Sequence, residues 1–252
     1  MKKVIENIGL KILFFFLAAG LIVSSAFAQN KSHNVSPKNV KVFVEYKILK
    51  DNVLNNANIN VDVNKNYIVL TGNVPSLYER NLARKDAKDE SHGYLIKNDL
   101  QVAGTNIPSQ TVVKNVLNKI YKNGFYGIFD WVDASDTNGT VTLSGWVHDP
   151  WLKEWFQKDA EKVAGVRQIK NEIQNTFGPG YIGYRAAWLI YSQPEYQGSQ
   201  FMVNPPIHII VNGDSIILKG QVYTKGEGGW LKNLLEFRTG AFDVSNGLEV
   251  KS

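Results

Sequence analysis

Three stretches of the sequence share one pattern: NKNYIVLTGNV at 64–74, TNGTVTLSGWV at 137–147 and NGDSIILKGQV at 212–222. In each, an apolar-x-Leu-x-Gly-x-Val core follows a turn-forming Asn or Asn-Gly. The glycines, Gly72, Gly145 and Gly220, stand 73 and 75 residues apart. A second landmark keeps the same register: Asn98, Asn171 and Asn246 each lie 26 residues beyond their glycine. A pattern that recurs at this interval requires one supersecondary unit used three times, and it constrains the fold more than any local propensity does.

The units run over 37–103, 109–177 and 181–250. The Gly- and Pro-bearing segments 103–108 and 177–181 separate them. In unit two, Val112, Val113, Val116, Leu117, Ile120 and Tyr121 recur at helical spacing. Residues 125–133 and 140–147 read as strands flanking Asn138-Gly139, a hairpin signal. Asp149-Pro150 then opens a helix carrying Leu152, Phe156, Ala160, Val163 and Ala164, and a strand over 166–173 closes the unit. The order is helix, strand, strand, helix, strand. Two helices over one small sheet make an α+β, two-layer αββαβ sandwich.

Unit one begins less plainly, because Val40, Val42 and Val44 alternate like a strand and only the repeat argues for a helix after Ser36-Pro37. Unit three carries an insertion that includes Pro205-Pro206, and its second helix is expected to begin late, after the glycine-rich 225–229. The structural glycines Gly72, Gly145 and Gly220 are in phase with apolar residues, so they fall on the helix-facing side of the sheet. A missing Cβ there would let a helix approach closely. The alternative for each is a bulge.

The chain opens with lysines, an apolar run from Ile12 to Val23, and Ala26-x-Ala28. Twelve apolar residues fall short of a bilayer span, so residues 1–28 read as a secretory signal rather than an anchor. Residues 29–36 read as a polar, disordered lead-in. The 224 residues from Gln29 hold 25 basic and 22 acidic side chains, a net of +3, which gives no support for a nucleic-acid partner. The chain has no cysteine. Burial alone must stabilise the exported protein, and the usual site of lipid attachment is missing, so a soluble periplasmic product is expected.

The Leu-x-Gly-x-Val strand, the helix after it and the closing segment from Gly165 to Ile173 resemble the BON domain, named for bacterial osmotically inducible and nodulation proteins. The resemblance implies αββαβ modules in periplasmic proteins linked to envelope integrity and osmotic stress. It also implies association with phospholipid surfaces and, for some members, chaperoning of outer-membrane or secreted proteins. Three copies depart from the usual pair.

No catalytic constellation is legible. His33, His92, His148 and His208 fall in separate segments without a second histidine at zinc-ligand spacing, and no nucleophile elbow or phosphate loop occurs. The expectation is a non-enzymatic protein without cofactor or metal. Unit two holds four tryptophans. On the helix from Pro150, Trp155 falls at the edge of the buried face, Trp151 further round, and Lys158 and Lys162 within about 20° of Trp151. Tryptophan favours the headgroup region and lysine reaches phosphates, so Trp151, Trp155, Lys158 and Lys162 are candidate contacts to an anionic phospholipid surface. Packing of both tryptophans on neighbouring units is the alternative. A two-residue turn at Asn138-Gly139 sets Trp131 opposite Trp146 on the sheet face away from the helices. That pair is a candidate contact for another unit or for an outer-membrane or secreted client.

Overall fold

Ser36 accepts a hydrogen bond from the Asn39 N–H, and Pro37 occupies the first turn, so the chain enters helix α1 (Pro37–Lys50). Val40, Val44 and Ile48 line its buried face at a spacing of four. Val42, which makes the segment read as a strand, sits only at the margin of that face. The computed structural model describes residues 35–251 apart from Lys65 and Thr105. The expected signal over 1–28 and most of the lead-in lie outside the described residues. Val35, at the end of that lead-in, already packs on the first core, and its carbonyl accepts the Tyr94 hydroxyl at 3.4 Å.

Unit one continues with β1 (Asn58–Val63), β2 (Tyr67–Val74), α2 (Leu77–Asp89), β3 (Leu95–Asn98) and β4 (Gln101–Val102). Unit two repeats the order with α3 (Ser109–Tyr121), β5 (Trp131–Thr137), β6 (Thr140–Val147), α4 (Pro150–Glu161), β7 (Gln168–Asn171) and β8 (Gln174–Asn175). Unit three has α5 (Gly180–Tyr191), β9 (Ile207–Asn212), β10 (Ser215–Val222), α6 (Lys225–Thr239) and β11 (Asp243–Val250). In every unit the Leu-x-Gly-x-Val strand is central, antiparallel to the strand before it and parallel to the strand after it. The fold is α+β, and one topology occurs three times.

Each unit closes its own apolar core between sheet and helices. Leu152, Phe156 and Ala160 of α4 meet Val141, Leu143 and Val147 of β6, all fully buried. Burial of each large side chain contributes roughly 1.5–3 kcal/mol, and the three cores supply the stability that disulfides would otherwise provide. The cores are not sealed from one another. Leu77 of α2 packs into the unit-two core, and Lys162 stands 5.2 Å from the Tyr78 ring centre.

The conserved register of Gly72, Gly145 and Gly220 has a different cause from the expected approach of a helix. Their φ angles are +123°, +118° and +115°, outside the range open to L side chains. A Cβ at Gly145 would stand 2.0 Å from the Trp131 carbonyl oxygen, and at Gly72 the same distance from that of Asn58. The partner strand's backbone, not a helix, occupies the space, and the pairing register runs through without an inserted residue.

The repeated asparagines join helix to sheet. Asn171 Nδ2 donates to the Lys153 carbonyl at 3.0 Å while its Oδ1 accepts the Ile173 N–H at 3.2 Å. Asn98 does the same with Arg80 and Leu100. Each amide therefore holds the second helix against the last strand at the break between β3 and β4, or β7 and β8. Asn246 keeps the bond to the Leu248 N–H.

Two expected boundaries differ. Residues 125–130 form a loop, and β5 begins only at Trp131, because the buried Asp130 carboxylate accepts the Gly127 N–H at 3.1 Å and the His148 N–H at 3.0 Å. In unit three, α6 starts at Lys225 and runs through the glycines. A capping box between Thr224 and Glu227 satisfies the first-turn donors and offsets the glycine cost. Gly228 sits where a Cβ would meet Asn246 Nδ2 at 3.1 Å.

Candidate contact site

The loop between α3 and β5 builds the exposed aromatic surface of unit two. Asn123 Nδ2 donates to Asp159 Oδ2 at 2.6 Å, tying the loop to α4, and Asn123 Oδ1 accepts the Phe125 N–H at 3.1 Å. Phe125 is thereby set beside the first turns of α4, its ring 5.0 Å from Trp151 and 5.4 Å from Trp155. The two tryptophans meet edge-on at 5.3 Å. Trp151 is 42 % exposed and Trp155 45 %, so the cluster is preassembled yet open to solvent. Pro150 sets the helix start, although the Asp149 side chain makes no cap bond.

The two lysines differ. Lys158 is exposed on the outer side of α4. Lys162 pairs with Asp159 at 3.3 Å and lies over Tyr78, so its charge is shared with the contact between units one and two. Phe125 was missing from the sequence-level site because its segment reads as a strand. The aromatic run Phe125, Tyr126 and Phe129, set among Asn123, Gly124 and Gly127, is the signal that could have found it.

Trp131 stands opposite Trp146 in the β5–β6 ladder. Both are half-buried, and Trp131 meets the ring of His208 from unit three at 5.3 Å. His208 is fully buried. Its Nδ1–H donates to the Gly127 carbonyl at 3.0 Å, Tyr126 stacks at 5.3 Å, and among the described residues its Nε2 has no partner. Desolvation holds its pKa below the ordinary 6.5. The next residue along, Ile209, donates its N–H to the Ile128 carbonyl at 2.7 Å. The α3–β5 loop thus covers part of the β9 edge and forms the seam between units two and three.

His148 has the opposite balance. Its Nδ1 lies 2.8 Å from Asp130 Oδ1, and that hydrogen bond raises its pKa. Neither histidine has a nucleophile or a metal-ligand set beside it, and no group of three or more His, Cys, Asp or Glu among the described residues could hold a metal ion. No helix among them is long and apolar enough to cross a membrane. A shallow groove of about 610 Å³ lies between α3 and β5, lined by Val113, Leu117, Tyr121 and Ala134 among others.

The BON domain family model matches residues 44–104 and 131–175, the greater part of units one and two. Unit three has the same topology but lies outside the matched segments. No curated protein matches the chain. Among solved structures it is similar to the C-terminal domain of CdsD, the structural protein of the type III secretion system of Chlamydia trachomatis. That match has 12 % identity and a TM-score of 0.26, covering 86 % of this chain and 100 % of that one. A second structure of CdsD gives 12 % identity and a TM-score of 0.25 over 84 % of this chain and 92 % of the other. BON domains form a non-enzymatic family of periplasmic or envelope-associated proteins. By the family match and the αββαβ topology they share, residues 44–104 and 131–175 are BON-domain segments.

Proposed function

We propose that this is a non-enzymatic envelope protein that lies against anionic phospholipid surfaces through Phe125, Trp151, Trp155 and Lys158, with Lys162 contributing less. One observation carries the reading: three aromatic rings pack on one another at the surface of unit two while roughly half of each remains exposed. Trp and Phe placed this way suit the headgroup boundary, and a nearby lysine adds on the order of 1 kcal/mol near an anionic surface. Flotation with vesicles containing phosphatidylglycerol tests it. Binding at low salt should weaken strongly in Trp151→Ser/Trp155→Ser while folding is retained; a wild-type chain that does not float excludes the reading.

The groove beside β5 supports a second reading, in which the protein holds extended segments of outer-membrane or secreted clients. Such holding would persist at high salt, unlike lysine–phosphate attraction. Suppression of client aggregation should be lost in Val113→Gln/Leu117→Gln. Unchanged suppression in that variant excludes the groove.

A further inference from the structure

The seam between units two and three shows how one unit of this chain receives a loop of another. In unit three the slot between α5 and the edge of β9 is filled: Ile128 and Phe129 of unit two pack on the third core, and the Ile128 carbonyl accepts the Ile209 N–H at 2.7 Å. Phe129 meets Tyr184 of α5 edge-on at 5.5 Å, and its ring passes 3.7 Å from the place a Gly183 Cβ would take. An aromatic and an aliphatic side chain therefore enter beside the helix while a loop carbonyl satisfies an N–H of the edge strand.

Unit two has the same slot, and there it is open. The Tyr121 hydroxyl donates to the Val132 carbonyl as the Tyr191 hydroxyl does to that of Ile207, and Val132 and Ile207 lie opposite Gly145 and Gly220. Those anchors put Val113 in the place of Gly183 and Ala134 in the place of Ile209. The groove of about 610 Å³ between α3 and β5, walled by Val113, Leu117, Tyr121 and Ala134, is thus the counterpart of the filled slot. The helix–strand loop of unit one instead buries Leu54 in the first core. Asp136 Oδ1 in the groove wall is buried without a hydrogen-bond partner among the described residues, and the Ala134 N–H, counterpart of the Ile209 donor, is met by the adjacent Asp133 carboxylate at 2.8 Å.

The chain also carries one loop of matching character that its own copy leaves uncovered. In the unit-three insertion Phe201, Met202 and Val203 are 86 %, 60 % and 61 % exposed, the one run of three consecutive large apolar residues exposed among the described residues. Its base is fixed, since Tyr196 is buried in the third core and the Ser199 hydroxyl donates to the Tyr196 carbonyl at 2.6 Å. Pro205-Pro206 then leads stiffly into β9. A loop held in one shape loses little freedom on docking. Residues 197–206 carry no charged side chain, so covering them desolvates no ion, and the Asn204 amide supplies a donor for Asp136.

We propose that the 199–204 loop of a second copy docks in the unit-two groove, with Phe201 and Met202 between α3 and β5 and a loop carbonyl on the Ala134 N–H, as the 125–130 loop docks within one chain. The contact does not depend on phospholipid, and it gives the groove an occupant supplied by the protein itself. Tip and groove are different surfaces, so the contact is heterologous and the chain self-assembles through it.

The experiment is sedimentation velocity of the chain from Gln29 without lipid. A contact of this size lies at the weak end of specific interfaces, so monomer should give way to larger species between about 5 and 200 µM. Phe201→Ser/Met202→Ser and, separately, Val113→Gln/Leu117→Gln should each stay monomeric at the highest concentration, with circular dichroism unchanged. Mixing the two variants brings one intact tip to one intact groove, so a dimer should form and grow no further. The absence of cysteine allows a second readout that needs no groove-disrupting variant. A chain with Met202→Cys should form a disulfide with a chain carrying Leu117→Cys about tenfold faster than with one carrying Lys97→Cys, as held proximity implies. A wild-type chain that remains monomeric throughout overturns the proposal, as does equal disulfide formation at 117 and 97. Assembly that the tip variant loses and the groove variant keeps would seat the tip on another surface and refute the groove.

Discussion

Gly145 shows how a single residue can be legible as important and opaque as to cause. Its place on the apolar side of the alternation is visible in the sequence, but its φ of +118° and the Trp131 carbonyl 2.0 Å from the missing Cβ are properties of the folded ladder. Gly145→Ala must strain the backbone and push the strands apart, and a loss of about 2–4 kcal/mol is expected in urea unfolding. Gly226, in the first turn of α6 with open space around it, is the control: Gly226→Ala should stabilise by about 0.4–1 kcal/mol. The two histidines make a paired prediction of opposite sign. The His148 pKa is raised by its bond to Asp130, so the stability it contributes is full below the ordinary 6.5 and is lost as pH rises through the higher folded value. The His208 pKa is lowered by burial, so its contribution is full above 6.5 and is lost as pH falls toward the lower folded value. Urea midpoints between about pH 5 and 8 should therefore lose their alkaline decline in His148→Gln and their acid decline in His208→Gln.

At the scale of elements, the helix–strand–strand–helix–strand order was readable because apolar periodicity and the threefold register agree, and where they conflict the register prevails. The start of α1 is the case in point: alternating valines suggest a strand, yet Val40, Val44 and Ile48 form the buried helical face. The loop at 125–130 was not readable, because what holds it open is a tertiary bond from Asp130 to the backbone of His148, eighteen residues away. The early start of α6 was hidden by its glycines, whose cost a capping box offsets. The repeated asparagines were visible as a period, but their task of joining helix to sheet needed coordinates. Removing the three side-chain amide bonds in Asn171→Ala should cost about 1–3 kcal/mol, with hydrogen exchange accelerating first in β7 and β8. Equal protection in the variant would show that the amide bridge is incidental.

Over the whole molecule, three separate cores are joined by two unlike contacts. Units one and two meet through Leu77, Tyr78 and Lys162, whereas units two and three meet through His208, Tyr126, Trp131 and a backbone bond at Ile209. Unequal contacts explain why the sequence places the aromatic surface incompletely. The count of tryptophans draws attention to unit two, while exposure on α5 depends on which side of that helix the third core takes. Trp131 likewise looks free in sequence and is partly covered by unit three. The proposed role requires the exposed rings on and beside α4 to meet a bilayer. The chain has no cysteine, so a nitroxide can be placed at a single introduced site. Accessibility to oxygen and to a nickel chelate is to be measured at Lys158→Cys and, as a remote control on β3, Lys97→Cys, with and without phosphatidylglycerol vesicles. The account predicts that vesicles raise oxygen and lower nickel access at 158 and change neither at 97. Unchanged access at 158 in the presence of lipid would contradict it.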